Sequence, residues 1–176
     1  MVIRKADKMK EVIDKISSYN LFNYLFPGII YVVILKVVTS YDLLQENNFV
    51  GAFLYYFIGL IISRVGSLII GEFLQWKKLK FIKFAKYSDF VYASDKDQKI
   101  DLFTEVNNMY RTIIALIVML LVSKLVEIIQ SYFSLSAEFI LISLLAALLI
   151  LFVFSYRNQT SFIVKRIEAR KKQNEK

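Results

Sequence analysis

The sequence predicts an all-α integral membrane protein: a four-helix bundle with cytoplasmic N- and C-termini and helices that extend into the cytoplasm. Three observations predict it. First, 57% of the 176 residues are apolar and mean hydropathy is +0.50, with the apolar residues gathered in long blocks. Second, four blocks, at about 21–40, 49–72, 112–130 and 139–156, approach or exceed the roughly 20 helical residues that cross a bilayer core of about 30 Å. Third, the basic residues are one-sided. Residues 1–20 hold five Lys or Arg, 73–111 hold eight and 157–176 hold seven, while the connections 41–48 and 131–138 hold none. Cytoplasmic loops carry the excess of Lys and Arg, so both termini and the loop 73–111 are expected inside.

The chain divides accordingly. Within residues 1–20, Ile3, Met9, Val12, Ile13 and Ile16 recur at helical spacing among lysines, which predicts an amphipathic cytoplasmic helix. Residues 21–156 form the membrane domain, including its cytoplasmic loop. Pro27 falls inside the first span. Its missing N–H and its clash with the carbonyl of Asn23 either kink the helix there or mark its first turn. In the loop, "WKKLKFIKFAKY" (76–87) interleaves lysines with apolar residues, the pattern of a segment lying on lipid. Ser94 reads as an N-cap followed by Asp95 and Asp97. From there one helix of roughly 50 Å is expected to run to about Gln130. Residues 157–176 continue the last span as a basic cytoplasmic helix and tail.

Composition narrows the chemistry. The net charge of +8 clusters at span ends, where it faces anionic lipid headgroups; no recognition pattern points to nucleic acid. The chain has no Cys and no His, which excludes disulfides and thiolate catalysis and removes the commonest general base. Neither H-E-x-x-H nor G-x-S-x-G occurs. A non-enzymatic protein without cofactor or metal is the expectation. Asp97, Asp101 and Glu105 share one helical face, as a cation site would need. Ile100, however, stands where an EF-hand requires Gly, so a solvated face paired with basic neighbours is the better reading.

Four charges lie inside the spans: Lys36, Arg64, Lys124 and Glu127. Each costs at least about 2.5 kcal/mol at the membrane centre and so marks a site by default. Side chains lean toward a helix's N-terminus, which turns all three cations away from their nearer interface and favours buried pairing over snorkelling. Lys36, Lys124 and Glu127 share one layer in the outer half, so Lys36–Glu127 or Lys124–Glu127 pairs are expected. Glu72 is two turns from Arg64. Arg64 is therefore expected either to donate to the Asn23 carbonyl that Pro27 frees or to line a water-filled cavity.

Around that arginine, Gly59, Ser63, Ser67 and Gly71 recur at four-residue steps, with Gly66 beside them. Small residues at this spacing let helix backbones approach closely in lipid, within one chain or at the seam of a homo-oligomer. Further along, Asn107, Asn108, Tyr110 and Arg111 cluster where the third span enters the membrane. They are read as interface anchors, or as contacts to a lipid headgroup or small anion, because an Arg fork matches phosphate.

With "NLFNYLFPGII", "ISRVGSLIIGEF" and "EVNNMYRT", the whole layout resembles small bacterial four-span proteins that accompany anti-phage defence systems. The resemblance implies a membrane effector at the bacterial inner membrane, a homo-oligomer perturbing that membrane when a cytoplasmic sensor protein fires. The other expectation is a membrane anchor whose cytoplasmic helices dock a partner and conduct nothing.

Overall fold

The computed structural model describes residues 20–75 and 82–174, and every regular element among them is helical. Helix α1 spans Leu21–Val38, α2 Asn48–Leu74, α3 Tyr87–Lys96, α4 Lys99–Phe133 and α5 Ala137–Asn174. All but α3 are long and apolar enough to cross a membrane. The expected amphipathic helix in 1–20 lies outside the described residues, except for Asn20, as does the first half (76–81) of the lysine-rich segment at 76–87.

Local chemistry sets the helix ends. Asn47 caps α2, its side-chain oxygen accepting from the N–H groups of Phe49 at 2.9 Å and Val50 at 3.2 Å. Ser134, in the left-handed region at φ 50°, closes α4 while Leu135 N–H returns to the carbonyl of Gln130. Ser136 then accepts from Phe139 N–H and opens α5. Ser94 is not the cap the sequence predicts. It sits in the last turn of α3 and donates to the carbonyl of Val91. The chain is extended at Asp97, whose carboxylate accepts from Lys99 N–H at 2.9 Å. That Asx-type bond starts the long helix a few residues later than expected.

Both α1 and α2 contain one widened, π-helical turn, at Leu21–Leu25 and Gly66–Ile70. In α1 this turn immediately precedes Pro27, which is buried in the first α-helical turn. A wide turn removes the strict i−4 register in which the Pro27 ring would strike the Asn23 carbonyl. The helix runs on through the proline to Val38.

Two glycines control how α1 meets α2. A Cβ on Gly28 would collide with the backbone carbonyl of Tyr55, and one on Gly59 with that of Tyr24. Each glycine thus presents an Hα to a carbonyl on the facing helix, the arrangement of Cα–H···O contacts. Farther along α2, Gly66 lies against the Arg111 carbonyl and the Ala115 side chain of α4. Among the described residues, the main buried cluster that results comes from α1, α2 and α4: Tyr31, Val32, Leu35, Ile62, Ile70, Ala115, Leu116 and Leu120.

The fourth span stands apart from this trio. No residue of its apolar window is buried, against a third of the window in α1. It meets the rest in its second half, where Phe152 stacks on Phe57 at 6.0 Å and Ser155 is buried. Beyond the apolar stretch, Phe162 packs on Tyr87 and Arg170 forms a bidentate ion pair with Asp95 of α3. The four long apolar helices expected from sequence are present, three of them packed together and the fourth leaning on them at one end.

Adding a methyl group at Gly28 separates packing from propensity. Alanine gains about 1 kcal/mol in a helix, whereas overpacking against rigid backbone costs about 1–3 kcal/mol. Gly28→Ala should lower the thermal unfolding midpoint in detergent. Gly51→Ala should lower it less, because there the new Cβ meets side-chain atoms of Tyr55 at 3.1 Å and Gln45 at 3.4 Å, which can shift more readily than backbone. A Gly28→Ala protein at least as stable as the parent would contradict the backbone contact.

Candidate functional site

The polar groups of the apolar helices collect in two places, one at each end. The first lies where α1 gives way to the connection with α2. Lys36 pairs with Asp42 at 2.9 Å, and Lys124 pairs with Glu127 at 2.7 Å. The same Glu127 carboxylate accepts from Ser40 N–H at 2.6 Å, and Tyr41 donates its hydroxyl to Gln130 at 2.6 Å. Tyr31 and Ser123 are hydrogen-bonded one layer deeper, at 2.7 Å. These contacts stitch the end of α1 to α4. The Lys36–Glu127 bridge considered from sequence does not form, because Asp42, just past the helix end, reaches Lys36 first. Lys36, and secondly the N–H of Leu44, hold the Asp42 carboxyl below its ordinary range.

The second collection is a cavity of about 350 Å³ at the opposite end. All five helices contribute to its wall. Helix α2 supplies Ser63, Arg64, Ser67 and Glu72, with Gln75 just past its end, and α4 supplies Asn108 and Arg111. Asn158, Gln159 and Phe162 come from α5, Tyr24 from the wide turn of α1, and Tyr87 from α3. Both π-helical turns thus border the cavity, since Ser67 belongs to the turn at Gly66–Ile70. A wide turn inserts an extra residue and bulges the helix, and such turns recur at functional sites.

Arg64 is the electrostatic centre of the wall. Among the described residues its guanidinium has no carboxylate within 4.0 Å; the ion pairs there are Lys36–Asp42, Lys124–Glu127 and Arg170–Asp95. Of the two arrangements expected for it, the structure places it on the polar cavity. Its own backbone carbonyl accepts from the Ser67 hydroxyl at 3.1 Å, so that serine is satisfied within the helix. A Cβ placed on Gly71 would meet the Arg111 side chain at 3.5 Å, an ordinary contact, so this end of α2 packs beside a second guanidinium. The small-residue run of α2 therefore faces neighbours within the chain: Gly59 meets α1, Gly66 meets α4, and Ser63 is buried.

The polar cluster at the start of the third span divides. Asn108 and Arg111 line the cavity, while Asn107 and Tyr110 are exposed and line no part of it. One turn of helix separates residues 108 and 111 onto one face, and 107 and 110 onto another. The acidic run also disperses, with Asp95 on Arg170 and Asp97 on Lys99 N–H. No group of three His, Cys, Asp or Glu converges to hold a metal among the described residues. Asn158 and Gln159 were not singled out in the sequence. Their signal is a pair of uncharged amides just after the last apolar run, beside Arg157.

No family model, curated protein or solved structure matches this chain.

Because the folded carboxyl of Asp42 is depressed, its ion pair is fully formed above the ordinary pKa of about 3.9. It is lost only as pH falls through the lower folded value. In a carbon-detected NMR titration, Lys36→Gln should move the Asp42 midpoint upward toward that ordinary value. A midpoint that stays put would show that Lys36 is not the partner.

Proposed function

We propose that the chain is a non-enzymatic integral membrane protein. Its termini and the loop 73–111 lie in the cytoplasm, and a cytoplasmic signal changes how its spans control permeability. The observation that carries this reading is the cavity, which gathers polar groups from the trio and from the loosely held fourth span. Whatever occupies it acts on the element with the fewest packing constraints. The one-sided distribution of Lys and Arg supports the orientation. A bacterial inner-membrane effector in anti-phage defence, working with a cytoplasmic sensor, is the setting in which we place it.

Permeability on this reading requires several copies. Between the two polar ends lies an apolar layer of Val32, Leu35, Ile62, Leu116 and Leu120. Among the described residues this apolar layer fills the core between the two polar ends of a single chain. Leu141, Ile142, Leu145, Leu149 and Val153 of the fourth span are more than half exposed and offer surface to lipid or to another copy. A second reading, an anchor that docks a partner without conducting, is favoured by Tyr92, Leu102 and Phe103. These are more than half exposed although they lie outside the apolar stretches.

Two measurements test the proposal. Native cysteine is absent, so Glu46→Cys should react with an impermeant maleimide from outside intact cells, and Lys165→Cys only after lysis. The reverse pattern overturns the orientation. Purified full chain in liposomes should conduct ions, with flux rising more steeply than in proportion to the protein-to-lipid ratio. Correctly inserted protein that never conducts would sink the permeability reading in favour of the anchor.

A further inference from the structure

We infer that α3 is a strap that holds the fourth span to the other three helices from the cytoplasmic end, latched by Asp95 on Arg170, and that the cytoplasmic signal acts by opening it. The inference rests on the cytoplasmic-signal reading and names the element that receives the signal. One stripe on each helix builds the contact. Tyr87, Val91 and Asp95 follow at four-residue steps and share a face of α3. On α5, Phe162 and Ala169 lie two turns apart on one face, with Arg170 beside them. The Tyr87 and Phe162 rings meet at 6.1 Å, and the Asp95 carboxylate accepts from both arms of the Arg170 guanidinium. Both pairs are 75 positions apart, so α3 and this part of α5 run parallel and in register. Val91, between the two contacts, is fully buried. Ala169 is the one buried residue of α5 past Ser155 among those whose side chains are described.

Connectivity makes this contact a strap. Only Asp97 and Gln98 separate α3 from α4, and the chain is extended at Asp97. That short link ties α3 to the packed trio while its stripe grips α5. Helix α5 runs unbroken from Ala137 to Asn174 and contains neither Gly nor Pro, the usual causes of a kink. Phe162 stands roughly 15 Å along the helix from Phe152, so a tilt imposed at the strap is carried into the span. The span resists little, because no residue of its apolar window is buried. Tyr87 and Phe162 also border the cavity, so opening the strap removes one side of its wall.

The latch is the part of the strap that a signal can reach. The side chains of Asp95 and Arg170 are 34% and 46% exposed, whereas Val91, one turn before Asp95, has no exposed surface. An ion pair in contact with solvent is weakened by salt and by competing charge. Another charged group can therefore displace it before any apolar contact has to part.

The test uses the full chain, one copy per phosphatidylcholine nanodisc, with the distance between two nitroxides read by double electron–electron resonance. With no native cysteine, the labels go on Val50→Cys of α2 and Leu141→Cys of α5, both exposed and far from the strap along their helices. In a double-mutant cycle, Arg170→Asp and Asp95→Arg should each widen the distance distribution about twofold, and the two together should narrow it again. Lys171→Glu, which reverses the neighbouring charge, should leave it unchanged. Far-UV circular dichroism checks that each variant is folded. Where a reversal does not fold, Asp95→Asn, which keeps the side-chain shape and loses the charge, should widen the distribution in its place. A folded Arg170→Asp or Asp95→Asn with the parent's distribution overturns the inference, as does a double variant no narrower than the single ones. A merely local ion pair would not move labels at the other end of the helices. The readout is also independent of conduction. Distances that respond without flux in liposomes would overturn the permeability reading alone, and flux with distances that do not respond would overturn the strap alone.

Discussion

Everything else in this molecule is arranged around the contact of two backbones at Gly28 and Gly59. Lipid supplies no hydrophobic drive to bring apolar helices together, so association depends on close van der Waals fit and weak polar contacts between backbones. With no Cβ on either glycine, α1 and α2 approach until each Hα faces a carbonyl of the other helix. That crossing places Val32 and Leu35 beside Ile62, and it creates the face onto which α4 brings Ala115, Leu116 and Leu120. A bulkier residue at either position would separate the pair and with it the whole packed trio.

The polar groups obey a complementary constraint. A charge in the apolar layer is costly, and each is displaced toward an end or given company. At one end, carboxylates at the right depth are available, and Lys36 and Lys124 take them. At the other, the widened turns and the small residues of α2 leave open space around Arg64, which has no carboxylate within 4.0 Å among the described residues. One end is thereby a closed set of pairs joining α1 to α4. The other is an open, donor-rich cavity.

Much of the fold was legible because it rests on length and apolarity alone. The four spans lie within or close to the observed helices, and both long helices continue past the apolar blocks as the periodicity implied. What was misread depended on short-range competition. Ser94 looks like a cap in isolation, yet Asp97 provides the bond that starts the helix. Lys36 has an acid at its own depth in Glu127, yet Asp42 lies nearer along the chain's actual turn. Gly28 was overlooked beside Pro27, because only a facing helix reveals that a glycine is needed for its missing side chain.

The sequence by itself determined four stretches long and apolar enough to cross a bilayer, and the charges that must be reconciled with them. Hydropathy over some twenty residues is a sum that no packing detail can reverse. Tertiary structure alone decided which helices share a core and that the fourth leans on them from one end. It also decided that Arg64, Asn108, Arg111, Asn158 and Gln159 border one space. Those residues are up to 95 positions apart, and their meeting depends on crossing geometry between helices. That geometry is governed by single atoms, such as the two methyl groups missing at Gly28 and Gly59, for which a pattern of apolar and polar residues carries no signal.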